Sequence, residues 1–83
     1  MNLVKVLLFA TLRERAGGAK FIELELPDDA TVSMLKEQIG REYPNLDQSM
    51  KSVLSTINRE YAFDETVLPA DAELAMFPPV SGG

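Results

Sequence analysis

One segment of the 83-residue chain has the pattern of a long amphipathic helix. Thr31 is a good N-cap residue, and Pro44 disfavours helix beyond Tyr43, so the pattern predicts a helix over residues 32–43. The apolar residues of this segment recur at helical spacing: Val32, Leu35, Ile39 and Tyr43. We interpret this stripe as the face that packs on the protein core, with Glu37 and Arg41 able to pair on the opposite side.

The other regular segments are short and typical of β-strands. The first, residues 3–9, is apolar and rich in β-branched residues, and the second, residues 20–26, alternates between apolar and polar positions. Three further strands are predicted over residues 52–58, 59–62 and 73–77. One or two helical turns are expected over residues 10–16, and residues 45–51 are interpreted as a polar linker or a short helical turn. The first two strands are expected to pair antiparallel.

The order of these elements predicts an α+β fold. Two strands, one main helix and then further strands match the ubiquitin-like β-grasp arrangement, a mixed sheet of four to five strands packed against one helix. Pro78 and Pro79 fit neither a helix nor a strand ladder. We therefore expect one domain over residues 1–77 and an extended, flexible tail over residues 78–83.

Composition excludes several kinds of active site. The chain contains no Cys and no His, which removes the thiolate nucleophile, the zinc–thiolate site and the commonest general base, and no metal site is expected. Thirteen acidic residues against eight basic ones give a net charge of −5, which disfavours nucleic acid as a partner. That charge suits either a basic protein partner or simple solubility. Without a signal-peptide pattern or an apolar run near the ~20 residues of a membrane helix, we expect a cytoplasmic protein that binds no membrane.

The last residues of the chain suggest a chemical role for its terminus. Gly82 and Gly83 have no Cβ and can enter a tunnel too narrow for other residues, while the two prolines stiffen the segment before them. Six extended residues reach at most ~20 Å. The Gly83 carboxylate is thus the candidate covalent site, and because a carboxylate is a poor electrophile it needs activation, most simply adenylation with ATP on a partner. The alternative is a terminal segment without a role.

Two segments resemble one known family. Residues 77–83, with the sequence FPPVSGG, and residues 6–14, with the sequence VLLFATLRE, resemble the MoaD-type small subunits of molybdopterin synthase, and the chain length matches as well. Two terminal glycines alone also fit the thiamine sulfur carriers and the ubiquitin-like modifiers. The preceding Phe-Pro-Pro favours the molybdopterin branch.

The resemblance implies a sulfur carrier rather than an enzyme that acts alone. An ATP-dependent adenylating enzyme would activate Gly83, and a sulfurtransferase would convert it to a thiocarboxylate. The tail would then enter the large catalytic subunit of molybdopterin synthase, in a heterotetramer, and donate sulfur to cyclic pyranopterin monophosphate. The chain would bind no cofactor itself. The tail residues that insert would be Pro78, Pro79, Val80, Ser81 and Gly82.

Strand alternation predicts where a partner docks. Charged Lys5 and Glu73 mark the outward side of the first and last strands. If these strands are neighbours, the outward side also presents an exposed apolar patch of Leu7, Phe9, Ala75 and Phe77, which is typical of an interface. Tyr61 is expected to extend this patch and Arg13 to add a charge at its edge. An interaction module without carrier chemistry remains the alternative from a different class.

Overall fold

The computed structural model describes residues 1–79. Five strands and two α-helices are present in this part of the chain: β1 (Asn2–Leu8), α1 (Thr11–Arg15), β2 (Phe21–Leu26), α2 (Val32–Glu42), β3 (Leu54–Ile57), β4 (Glu60–Ala62) and β5 (Leu74–Phe77). Two 3-10 turns, Pro44–Leu46 and Ser49–Lys51, connect α2 to β3. No helix in residues 1–79 has the length and apolar character needed to cross a membrane.

The five strands form one mixed sheet in the order β2-β1-β5-β3-β4. The last strand in sequence, β5, lies in the middle, parallel to β1 and antiparallel to β3. The other neighbours, β1 with β2 and β3 with β4, are antiparallel. This sheet and helix α2 confirm the predicted ubiquitin-like β-grasp fold.

Helix α2 begins at the predicted residue and ends at Glu42, one residue before the predicted end. The Thr31 hydroxyl accepts a hydrogen bond from the Met34 N–H at 3.3 Å, which caps the first turn. Val32, Leu35 and Ile39 are buried in the core, whereas Tyr43 at the end of the stripe is only half-buried. The apolar stripe therefore covers one face of the sheet.

The connection after α2 contributes more to the core than we predicted. Leu46 and Met50 are both buried, one in each 3-10 turn. Two apolar residues in separate short turns produce no extended periodicity, so the segment resembled a polar linker in sequence. Its two turns close the core between α2 and β3.

Ser55 places an unpaired hydroxyl in the core, which makes it a site for stabilisation. Its Oγ is buried and has no hydrogen-bond partner in residues 1–79, and its strand neighbours are Met76 and Ala62. We expect Ser55→Ala to raise the free energy of unfolding by about 1 kcal/mol, because a buried polar group without a partner is destabilising. Urea denaturation measures the change, with Thr56→Ala on the opposite face of β3 as control. Lower stability of Ser55→Ala would show that the hydroxyl has a partner.

Candidate docking face and tail

Helix α2 covers one side of the sheet, and the other side presents side chains in rows across all five strands. The strand registers align one residue from each strand in the first row. In strand order, these residues are Phe21, Leu7, Ala75, Thr56 and Tyr61. This row is apolar except for the Thr56 and Tyr61 hydroxyls.

A second row lies next to the first, on the side where β5 leads into Pro78. Phe9 follows β1 and stacks on Phe77, with ring centroids 4.6 Å apart and planes inclined by 9°. Leu54 is the cross-strand neighbour of Phe77 on β3. We call these two rows together the docking face.

Charged residues lie on the same face of the sheet, on the side of the first row that is away from Pro78. Lys5 lies opposite Glu23 in the register of β1 and β2. Its Nζ lies 4.1 Å from the centroid of the Phe21 ring. Glu73 precedes β5 on the same side of the sheet. Apolar side chains are thus concentrated at the end of the sheet from which the tail departs.

A groove of about 460 Å³ lies within the docking face. Phe9, which follows β1, and Phe77 and Pro78, at the end of β5, line one side of it. Leu54, Arg59 and Tyr61 line it from the β3–β4 hairpin. The groove therefore lies directly beside the start of the tail.

The predicted patch residues differ in exposure. Leu7, Phe9 and Phe77 are half-buried, and Tyr61 has 74% of its surface exposed. The expectation that Ala75 is exposed is wrong, because only 7% of its surface is accessible. Its side chain is short and lies between its strand neighbours Leu7 and Thr56, which leave little of it open to solvent.

Arg13 lies against the docking face. Its guanidinium carbon is 5.8 Å from the centroid of the Phe9 ring, and its Nε donates a hydrogen bond to the Leu8 carbonyl at 3.2 Å. These contacts fix the arginine beside the Phe9–Phe77 stack. Its positive charge is therefore placed at the edge of the apolar rows.

Sequence reasoning missed five residues of this surface. Phe21, Leu54 and Thr56 belong to the rows, and alternation along their strands could have identified all three. Ala10 lines the groove just before α1. Arg59 lines the groove from a turn, where no alternation rule applies. Its place depends on the conformation of the turn.

The structure describes only the start of the predicted tail. Pro78 is half-buried beside the groove and Pro79 is exposed. Val80, Ser81, Gly82 and Gly83 lie outside the described residues. Among residues 1–79, no group of three or more acidic side chains is arranged to hold a metal ion.

The fold, with one face of the sheet not covered by a helix, places this chain in the class of small β-grasp proteins. The crystal structure of SAMP1 from Haloferax volcanii is similar, with a TM-score of 0.84 and 30% identity over 99% of this chain and 100% of that one. A putative molybdopterin converting factor subunit 1 from Pyrococcus furiosus has a TM-score of 0.83 and 28% identity over 96% of this chain and all of the other. SAMP1 is named a small archaeal modifier protein.

Sequence comparison identifies the family. The model of the ThiS family matches residues 6–83, and the chain belongs to this family. A molybdopterin synthase sulfur carrier subunit of Chlamydomonas reinhardtii is 40% identical over 96% of this chain and 98% of its own length. A protein of the same name from Arabidopsis thaliana is 34% identical over 96% of this chain and 82% of its own length. These relatives confirm the resemblance drawn from residues 6–14 and 77–83.

Proposed function

We propose that this chain is the sulfur-carrier subunit of a molybdopterin synthase and delivers sulfur from its C-terminal glycine. The observation that supports this most directly is similarity to sulfur carrier subunits over nearly the whole chain. A groove beside Pro78 supports it further, because a partner bound there lies next to the start of the tail. The chain supplies the carrier, and the catalytic groups belong to its partners.

Loading takes place at the Gly83 carboxylate. An adenylating partner enzyme transfers AMP from ATP to a carboxylate oxygen, which releases pyrophosphate and makes the carbonyl carbon electrophilic. Sulfur supplied by a sulfurtransferase at the sulfide level (HS⁻) then attacks the carbonyl carbon, displaces AMP and leaves a C-terminal thiocarboxylate. The sulfur must come from outside because the chain contains no Cys.

Delivery requires the large catalytic subunit of the synthase. The thiocarboxylate sulfur attacks a carbon of cyclic pyranopterin monophosphate that carries an oxygen substituent. The carbon–oxygen bond breaks as that oxygen leaves, and a thioester then links Gly83 to the substrate. Water then cleaves the bond between carbonyl carbon and sulfur, so that the sulfur stays on the substrate and Gly83 returns to its carboxylate. The large subunit supplies the acid and base groups, which is consistent with the absence of His from this chain.

The docking face holds the carrier while its tail reacts. Phe9 and Phe77 present a stacked apolar surface that a partner can cover, and Pro78 follows Phe77 directly. The two prolines restrict the backbone where it leaves the sheet, which reduces the entropy lost when the tail is captured. Binding at the face therefore directs the tail toward the partner's active site.

Intact-mass spectrometry tests the loading step. The chain is incubated with the adenylating enzyme, ATP and a sulfur donor, and we expect one oxygen of Gly83 to be replaced by sulfur. A variant that lacks Gly82 and Gly83 serves as control and should keep its mass. A wild-type chain that is never modified at Gly83 under these conditions would refute the carrier mechanism.

Similarity to SAMP1 supports a second candidate, a ubiquitin-like modifier. A modifier forms an isopeptide bond between Gly83 and a lysine of a target protein instead of releasing sulfur. A thiamine-type carrier uses the same loading chemistry. Expression of the chain in strains that lack their own carrier distinguishes the three. Restored molybdoenzyme activity supports our proposal, restored thiamine synthesis supports the thiamine-type carrier, and protein conjugates support the modifier.

A further inference from the structure

The turn between β3 and β4 has a backbone conformation that its second residue disfavours. Asn58 and Arg59 form this two-residue connection with φ angles of 51° and 71°. Turns of this kind favour Asn followed by Gly, because both positions require positive φ. Asn tolerates that conformation, whereas the Cβ of an arginine makes it strained. An arginine at this position therefore lowers the stability of the hairpin.

Hydrogen bonds to the neighbouring strand fix the turn in place. The Asn58 N–H donates to the Glu73 carbonyl at 2.8 Å, and the Glu73 N–H donates to Asn58 Oδ1 at 2.9 Å. Glu73 immediately precedes β5, so these bonds tie the turn to the central strand. These two hydrogen bonds therefore set the position of Arg59 relative to the docking face.

Arg59 lines the groove and is exposed. Within residues 1–79 its side chain makes no ion pair or hydrogen bond. The other residues that line the groove have apolar or uncharged side chains. Arg59 thus places a positive charge at the groove of a chain whose net charge is −5.

The same groove contains a second strained residue. Ala10, with a φ of 53°, also lines it, so two of the four non-glycine residues with positive φ in residues 1–79 lie at this one surface. Backbone strain of this kind concentrates at functional sites, where binding rather than stability determines the residue. This clustering favours a role in binding for the side chain of Arg59.

We infer that Arg59 is a specificity-determining residue of the docking face, whose guanidinium pairs with a carboxylate of the large catalytic subunit. A guanidinium matches a carboxylate with two parallel hydrogen bonds and is weakly hydrated, so it suits an apolar groove better than a lysine does. The partner surface therefore combines apolar side chains for the Phe9–Phe77 stack with an Asp or Glu opposite Arg59. The inference rests on the proposed function.

Two variants of Arg59 separate its contribution to stability from its contribution to binding. Arg59→Gly removes the strain, and we expect its melting temperature to rise by about 4 °C. Its affinity for the purified large subunit, measured by calorimetry, should nevertheless fall about tenfold. Arg59→Gln, which keeps the strain and loses the charge, should lose the same affinity without the gain in stability. Binding of the wild-type chain should also weaken more steeply with added salt than binding of Arg59→Gln.

Asp71→Gly is the matched control. Asp71 also has positive φ, at 58°, but lies in the loop before β5 and outside the groove, so this change should leave affinity unchanged. Equal affinity of wild type and Arg59→Gln would overturn the role of Arg59 and leave the proposed function intact. Failure of the wild-type chain to bind the large subunit would instead overturn both.

Discussion

Adding one residue after Gly83 is expected to abolish sulfur transfer and to leave the melting temperature unchanged. The extension moves the terminal carboxylate from Gly83 to the added residue. The side chain of that residue then lies next to the carboxylate, where the native chain has only glycine. The added residue follows β5 in the sequence and replaces no core residue, so the melting temperature should not change. Sulfur transfer is measured as formation of the dithiolene product by the reconstituted synthase, and stability by thermal unfolding.

The control for this experiment is an extension at the other end of the chain, one residue before Met1. The Met1 amino group lies 3.5 Å from an Asp28 oxygen, an exposed ion pair that adds little to stability. We expect this variant to transfer sulfur normally. If the C-terminal extension stays uncleaved and activity is retained, Gly83 is not the site of transfer.

Phe77→Ala is expected to weaken binding of the large catalytic subunit by about 1–3 kcal/mol, the range of a truncated hot-spot aromatic. Phe77 stacks on Phe9 and lines the groove, so its removal takes away the centre of the docking face. Calorimetric titration measures the loss. Because the ring is only half-buried, the cost to folding stability should be smaller, about 1 kcal/mol for the lost aromatic pair.

Val67→Ala is a suitable control for this prediction. Val67 is a comparably apolar residue with 53% of its surface exposed, but it pairs with Thr31 beside the start of α2, away from the docking face. Its truncation should leave affinity unchanged. If Phe77→Ala unfolds the protein instead of weakening the complex, the ring serves the core, and the docking face is wrongly assigned.

Local sequence signals predicted the elements and the direction in which side chains point. Thr31 and Pro44 set the limits of α2 because capping and proline effects act within a few residues. Lys5 and Glu73 identified the outward side of their strands because alternation along a strand is strict. These signals were sufficient for the β-grasp fold and for part of each row of the docking face, without Phe21, Thr56 and Leu54.

Other features depend on residues that are distant in sequence. Alternation placed Ala75 on the outward side correctly but could not show that Leu7 and Thr56 cover it. Likewise, the groove position of Arg59 depends on the positive φ of its turn and on bonds from Asn58 to Glu73. Neither property follows from local composition. The roles of Gly83 and of the docking residues remain predictions.

The central position of β5 determines when the binding surface can form. The hairpin of β1 and β2 and the hairpin of β3 and β4 do not touch in the sheet until β5 inserts between them. Val6 meets Leu74 across 68 residues of chain (74 − 6), and such long-range pairing makes folding slow compared with a helical bundle. Phe9, Phe77 and Leu54 come from three different parts of this sheet. A chain in which β5 has not paired with both hairpins therefore has no assembled docking face.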